Sequence, residues 1–301
     1  IRDRSNLVQP INQLMGLVIS FQSTKPAFER VNTLLQLQQE ADYPHRQNPF
    51  KGVKTTSLEL KNISFYYGEV NNNVDRPRDV LNMPVLYNVS LKVESGEKVA
   101  LIGPSGSGKS TLSQIMVGFY QPQRGEVLFG GVPINEIGLS VVRANVALML
   151  QQSMFFNDTI RMNLSLAAEI DDKTIFKALR MAQLENFVRS LDKGLDSLIG
   201  KNGIRLSGGQ RQRLAIARLI LSDPKVVIFD ESTSSLDNTT ESSLDESLAD
   251  FIKGRTTIII AHRHTTIKQA DTICLLEQGQ IKAQGTYADM LARDLLQQQF
   301  M

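Results

Sequence analysis

GPSGSGKS, residues 103–110, is the stretch on which the fold turns. It fits G-x-x-x-x-G-K-[ST], follows the apolar run VALI at 99–102, and leads into the helically spaced Leu112, Ile115, Met116 and Phe119. Strand, glycine loop and helix in that order form a cradle for a phosphate chain. Gly103, Gly106 and Gly108 let the backbone wrap phosphates that side chains would block, with Ser105 and Ser107 between them. Lys109 brings a point charge to the terminal phosphates, Ser110 a hydroxyl for Mg²⁺, and Thr111 continues the helix start. The bland reading is a Gly/Ser turn between strand and helix. Taking Gly at about 7 %, however, the pattern arises by chance on the order of once in a hundred chains of this length.

Outward from this loop, VVIF at 226–229, TIII at 257–260 and ICLL at 273–276 are short continuous apolar runs. They suit strands covered on both faces of a parallel sheet. LELKNISFYY at 58–67 and NVSLKV at 88–93 instead alternate like half-buried strands, with a polar loop, 68–84, between them. From about 157 to 222 strand signals are missing, while Ile175, Ala178, Leu179 and Ala182 keep helical spacing. Residues 1–40 are also helix-like, with Pro26 expected in a first turn or at a kink, and 41–54 have the proline and polar content of a linker.

Composition sets limits. The 301 residues correspond to roughly two units of about 150. Thirty-three Lys and Arg against 31 Asp and Glu leave +2, which argues against nucleic-acid binding by bulk charge. A single cysteine, Cys274, excludes an internal disulfide, and three histidines give little support for a metal framework. No run reaches the roughly 18 apolar residues of a membrane-spanning helix. The sequence opens on Ile1 without an initiator Met or signal peptide, and is expected to be a piece of a longer protein.

Two further stretches carry chemistry. VVIFDE at 226–231 ends a buried strand in two carboxylates, placing Asp230 for Mg²⁺ and Glu231 as a base that polarises the attacking water. Taken alone, such a pair often only faces solvent. In LSGGQRQRLAIARLIL at 206–221, Ser207, Gly208, Gly209 and Gln210 open an amphipathic helix. Its backbone N–H groups and positive end make a second anion site, although an ordinary Ser-capped start reads the same way. One P-loop lysine and two such helix starts make sense where the second serves a nucleotide held by another copy.

LSGGQ between a P-loop and a strand ending in Asp-Glu resembles the nucleotide-binding domain of an ABC transporter, over about residues 57–295. The resemblance implies an α/β fold: a P-loop NTPase core with a mixed, largely parallel sheet, an antiparallel β subdomain, and an α-helical insertion carrying the signature. It also implies ATP and Mg²⁺. Gln151, in LMLQQSMFFNDTI, matches the Q-loop glutamine and a third Mg²⁺ contact beside Ser110 and Asp230. Asp237, in SSLD, matches the D-loop aspartate; His262, in IIIAHRH, the switch histidine; Tyr67, closing FYY, the aromatic that stacks on adenine. Outside that frame, Gln151 reads as a solvated strand end, His262 as a hydrogen-bonded cap, and Tyr67 as a core aromatic on the face of Phe65. Departures are Gln152, where the family often has an acidic residue, Lys201, where exporters usually carry a glutamate, and a long loop after Tyr67.

Residues 1–43 are similar to the cytosolic continuation of an exporter's last transmembrane helix, with Ala27, Glu29, Arg30, Val31 and Leu34 matching that connector. The expected layout is therefore a connector at 1–43, a linker at 44–56, and an ATPase domain at 57–301 with its helical subdomain at about 157–222. The expected partners are a second copy, arranged head to tail, and transmembrane domains of the same full-length chain, with no nucleic acid. The expected location is the cytoplasmic face of a bacterial inner membrane, serving export of peptides or other amphipathic cargo. A soluble ABC ATPase outside transport and a regulatory module that binds without turnover are the alternatives.

Overall fold

The computed structural model describes residues 5–36, 40, 43, 45–67, 84–150, 153–230, 248–261 and 263–296, with the backbone alone at 5–12 and 18. It divides into two units, Ile1–Asp42 and Tyr43–Met301.

Among the described residues, the first unit contains one helix, α1 (Ser5–Leu35). It runs on through Pro26, so that proline lies in the helix interior and not in a first turn. Around it Ser23 and Thr24 both turn their hydroxyls onto the carbonyl of Ser20 at 2.8 Å. Leu14, Leu17, Phe21 and Phe28 are exposed. Among the described residues no helix is long and apolar enough to cross a membrane.

Among the described residues, the second unit holds two sheets. β1 (Leu58–Phe65), β2 (Leu86–Val93), β4 (Arg124–Phe129) and β5 (Val132–Pro133) form an antiparallel sheet in the order β2-β1-β4-β5. The larger sheet runs β10-β9-β3-β8-β7-β6. Its strands are β3 (Lys98–Ile102), β6 (Val146–Met149), β7 (Val226–Asp230), β8 (Thr256–Ile260), β9 (Thr272–Glu277) and β10 (Gln280–Gly285). All its pairings are parallel except β9 with β10.

The apolar runs do what period-two geometry requires of a doubly covered sheet. Val99, Leu101, Val226, Ile228, Ile258, Ile260, Cys274 and Leu276 join the core shared with the antiparallel sheet. Their alternates Ala100, Ile102, Val227, Phe229, Ile259, Ile273 and Leu275 enter a second core on the opposite face. Cys274 is fully buried, and that burial pushes its thiol up to about 12.

Helices line the rest. α2 (Lys109–Met116) follows β3, and α3 (Ile134–Ile137) and α4 (Leu139–Asn145) lead into β6. The helical part comprises α5 (Ile160–Ser165), α6 (Asp172–Met181), α7 (Glu185–Ser190) and α8 (Gly208–Ser222) around a core of its own. α9 (His264–Lys268) and α10 (Tyr287–Ala292) follow among the described residues.

Residues 45–56, linker-like in composition, pack onto the domain. The N–H groups of Arg46 and Gln47 both reach the Glu136 carbonyl, His45 Nδ1 lies 2.9 Å from that of Ile137, and Phe50 is buried against Phe129.

Candidate active site

Four parallel strands meet at one edge of the large sheet. By register Leu101 of β3 pairs with Ile260 of β8, Asp230 of β7 with the same Ile260, and Met149 of β6 with Phe229 of β7. The C-terminal ends of these strands lie side by side, the place where α/β sheets bind ligands.

The loop from β3 to α2 can be built only with glycine at two points. A Cβ on Gly103, at φ +149°, would stand 2.0 Å from the Leu276 carbonyl oxygen. One on Gly108, at φ +102°, would meet Leu86 at 2.7 Å and the Val85 carbonyl at 3.0 Å. Gly106 (φ +78°) differs: nothing lies within 4 Å of its missing Cβ, and with Ser105 it forms an exposed crest. Gly108 is also the N-cap of α2 and has no side chain to bond the first-turn N–H groups. A helix start in that state suits an anion.

Charge and hydroxyls converge behind the crest. Lys109, 6 % exposed, donates from Nζ to the carbonyls of Gly103 at 2.7 Å and Pro104 at 2.9 Å. Its burial pulls the ammonium below the usual lysine range, opposed by the Asp230 carboxylate. Ser107 Oγ is buried and has no hydrogen-bond partner among the described residues, a donor held ready inside the loop. Ser110 Oγ donates to Asp230 Oδ2 at 3.1 Å, so two residues 120 positions apart meet at the cradle mouth. Thr111 Oγ1 shares a 2.9 Å hydrogen bond with the Tyr67 hydroxyl. Among the described residues no cluster of three His, Cys, Asp or Glu side chains forms a metal cage.

The residues present fit a Mg²⁺-bound triphosphate. Among the described residues, an uncapped helix start, an unpartnered buried hydroxyl, a lysine turned onto loop carbonyls and a Ser–Asp pair are what a phosphate chain with a hard cation requires.

At the second glycine start, Ser207 caps α8 and closes a capping box. Its Oγ accepts from Gln210 N at 3.2 Å, and its own N–H donates to Gln210 Oε1 at 2.9 Å. Gly208 follows, exposed, and Gly209 is half-buried. The Ser-capped start is thus present in full.

Gln151, Glu231, Asp237 and His262 lie outside the described residues, as do 68–83 and Gln152. The residues before three of them are placed: Leu150 after β6, Asp230 ending β7 and Ala261 after β8.

Sequence reading missed an anchor between α8 and the segment before α5. Arg218 donates to the carbonyls of Asn163 at 2.7 Å and Met154 at 3.1 Å and lies over the Phe155 ring. Asn163, fully buried, binds both backbone groups of Phe156. The guanidinium looks in sequence like one more cation on a basic helix. Its only signal is that it lies on the helix face of Leu214 and Leu221 (i−4 and i+3).

Residues 86–234 match the family model described as ABC transporter. The chain is 40 % identical over 289 residues to an ATP-dependent lipid A-core flippase of Pasteurella multocida, covering 95 % of this chain and 47 % of that protein. It is 39 % identical over 287 residues to the protein of the same description from Escherichia coli K12, with the same coverage. Among solved structures it is similar to a bacterial Atm1-family ABC exporter with ATP bound, at TM-score 0.80 and 31 % identity, over 98 % of this chain and 50 % of that one. The chain spans about half the length of the curated relatives it matches.

Proposed function

Because this chain belongs to the ABC transporter family, we propose that its ATPase domain turns over ATP between two copies and so drives transport across a membrane. The domain is an ABC ATPase and binds ATP. The observation that carries the catalytic reading is the 3.1 Å Ser110–Asp230 pair, which joins the loop hydroxyl to the strand-end carboxylate at the cradle mouth. With Gln151 these two would hold Mg²⁺, which when bound neutralises developing charge on the phosphates.

In this reading the loop from Gly103 to Thr111 binds the phosphate chain of ATP, and Tyr67 stacks on the base. Ser207 to Gln210 of the second copy close the site. Glu231 holds the water's proton, His262 and Asp237 fix the water and the facing copy, and Gln151 relays the state of the site. Phosphoryl transfer then needs positioning and charge rather than covalent chemistry. ATP draws the two copies together, and its hydrolysis lets them part. The α1 unit serves as the connector to transmembrane domains of the same full-length chain, which puts the ATPase on the cytoplasmic face of a bacterial inner membrane. The relatives' descriptions support an amphipathic cargo of the lipid A-core kind. Likeness to exporters along nearly the whole chain disfavours a soluble ATPase outside transport and a module without turnover.

The test is Mg-ATP hydrolysis against protein concentration, with Glu231→Gln as control. Specific activity that rises with concentration and vanishes in the variant is the expected result. Activity that stays flat in a chain that sizes as a monomer would place a complete site within one copy and overturn the shared-site reading.

A further inference from the structure

The ring assigned to adenine stands just past the end of β1, where a strand ladder no longer holds the chain. The β1–β4 pairing stops at Ser64 with Arg124. One residue further, Gln123 takes over with its side chain. Its Oε1 accepts the Tyr66 N–H at 3.1 Å and its Nε2 donates to the Tyr66 carbonyl at 3.2 Å, while its own N–H reaches the Ser64 carbonyl at 3.1 Å. An amide side chain thus supplies both bonds that a neighbouring strand would give, and extends the ladder to the residue before Tyr67.

The ring itself is held by two others. Tyr67 packs T-shaped against Phe65, with centroids 5.0 Å apart at 87°, and against Tyr120, at 5.4 Å and 88°. Phe65 and Tyr120 contact each other at 5.3 Å. Phe65 is buried, whereas Tyr67 is 45 % exposed and Tyr120 38 %. Two T-shaped contacts fix the ring plane of Tyr67, and its 45 % exposure leaves ring surface for a planar partner. Tyr120 and Gln123 both come from the segment that follows α2, the phosphate-cradle helix, and Tyr67 is bonded to Thr111 on that helix.

We propose that Gln123 and Tyr120 are positioning residues for purine recognition: they touch no nucleotide, but fix the backbone and ring plane of Tyr67 relative to the phosphate cradle. The proposal rests on the reading of Tyr67 as the base platform. A ring held before the ligand arrives loses less entropy on stacking, so the contribution to affinity comes through the base and not the phosphates.

The experiment is titration calorimetry of the whole 301-residue chain with Mg-ATP and, separately, with inorganic tripolyphosphate, which has no base. Gln123→Ala and Tyr120→Leu are each expected to weaken ATP binding roughly three- to tenfold, the loss of one or two modest contacts. Tripolyphosphate affinity stays as in the unaltered chain, and the melting temperature falls by only a few degrees. Gln123→Glu, which keeps the acceptor for the Tyr66 N–H, recovers part of the loss. Adding Tyr120→Leu to Tyr67→Leu produces no further loss, because there is no ring left to position.

Equal weakening of ATP and tripolyphosphate would overturn the proposal by locating the damage in the phosphate cradle. Unchanged ATP affinity in Gln123→Ala and Tyr120→Leu, with Tyr67→Leu clearly weakened, would overturn it while leaving Tyr67 as the platform. Unchanged affinity in Tyr67→Leu itself would remove the platform reading and this proposal with it.

Discussion

At the start of α2 the cap is Gly108, which has no side chain to offer; at the start of α8 it is Ser207, which closes a full capping box with Gln210. The first start is also crowded with polar groups in search of a partner: a buried hydroxyl with none on Ser107, and a lysine turned back onto two loop carbonyls. The second has met its own needs at two N–H groups. In the proposed reading, the difference separates a site organised around its ligand from one that is stable until a ligand is brought to it. A helix start that binds phosphate within its own chain can leave donors open. One that meets phosphate only when two copies close must be capped in the meantime, or the helix frays.

The largest effect sharpens this contrast by leaving both helix starts intact. Glu231→Gln is expected to cut turnover roughly 10³-fold, the scale of a general base, while ATP binding persists. Equal hydrolysis by variant and unaltered chain would remove Glu231 from its role. Next, the tight side of the first loop can be set against its open side. Gly103→Ala is expected to lower unfolding free energy by about 3 kcal/mol or more, since a backbone carbonyl must move. Gly106→Ala, strained only by its positive φ, loses about 1 kcal/mol. Urea unfolding of the two variants gives the comparison, and similar midpoints would contradict the close approach at Leu276.

Lys109→Ala addresses the charge directly. Loss of a charged partner lowers ATP affinity on the order of 100-fold, whereas Ser207→Ala leaves binding by the single chain unchanged. Comparable losses from both would mean that the two starts are not distinct. The smallest effect lies at the capped end, where Ser207→Ala costs about 1 kcal/mol of stability and is read as a lower melting temperature. If the serine had no capping duty, the melt would not move.

Much of this was legible in advance, for physical reasons. The runs VALI, VVIF, TIII and ICLL became β3, β7, β8 and β9 because a doubly covered parallel strand needs apolar residues on both faces, which leaves a signal within a few positions. The P-loop was equally plain, since two glycines and a lysine at fixed spacing answer to a close backbone approach and to phosphate charge. The four-residue β6 and two-residue β5 were too short for any period to show. Phe50 looked like part of a linker because its partner, Phe129, is 79 positions away. Gln123 and Arg218 escaped for a related reason. Both bind backbone groups 57 and 64 positions off, which every residue carries and no side-chain pattern reveals.

Cys274, sealed in the core that the large sheet shares with the antiparallel one, has a practical consequence. It is the only thiol in the chain, and as a fully buried, protonated group it gives a labelling reagent almost no thiolate to attack. The folded chain is therefore silent to maleimides as it stands. A cysteine placed on the exposed crest at Ser105, or beside Ser207, becomes the one reactive position without any prior substitution. A pair of such chains, one marked at each helix start, would report their approach by cross-linking or by energy transfer between two dyes.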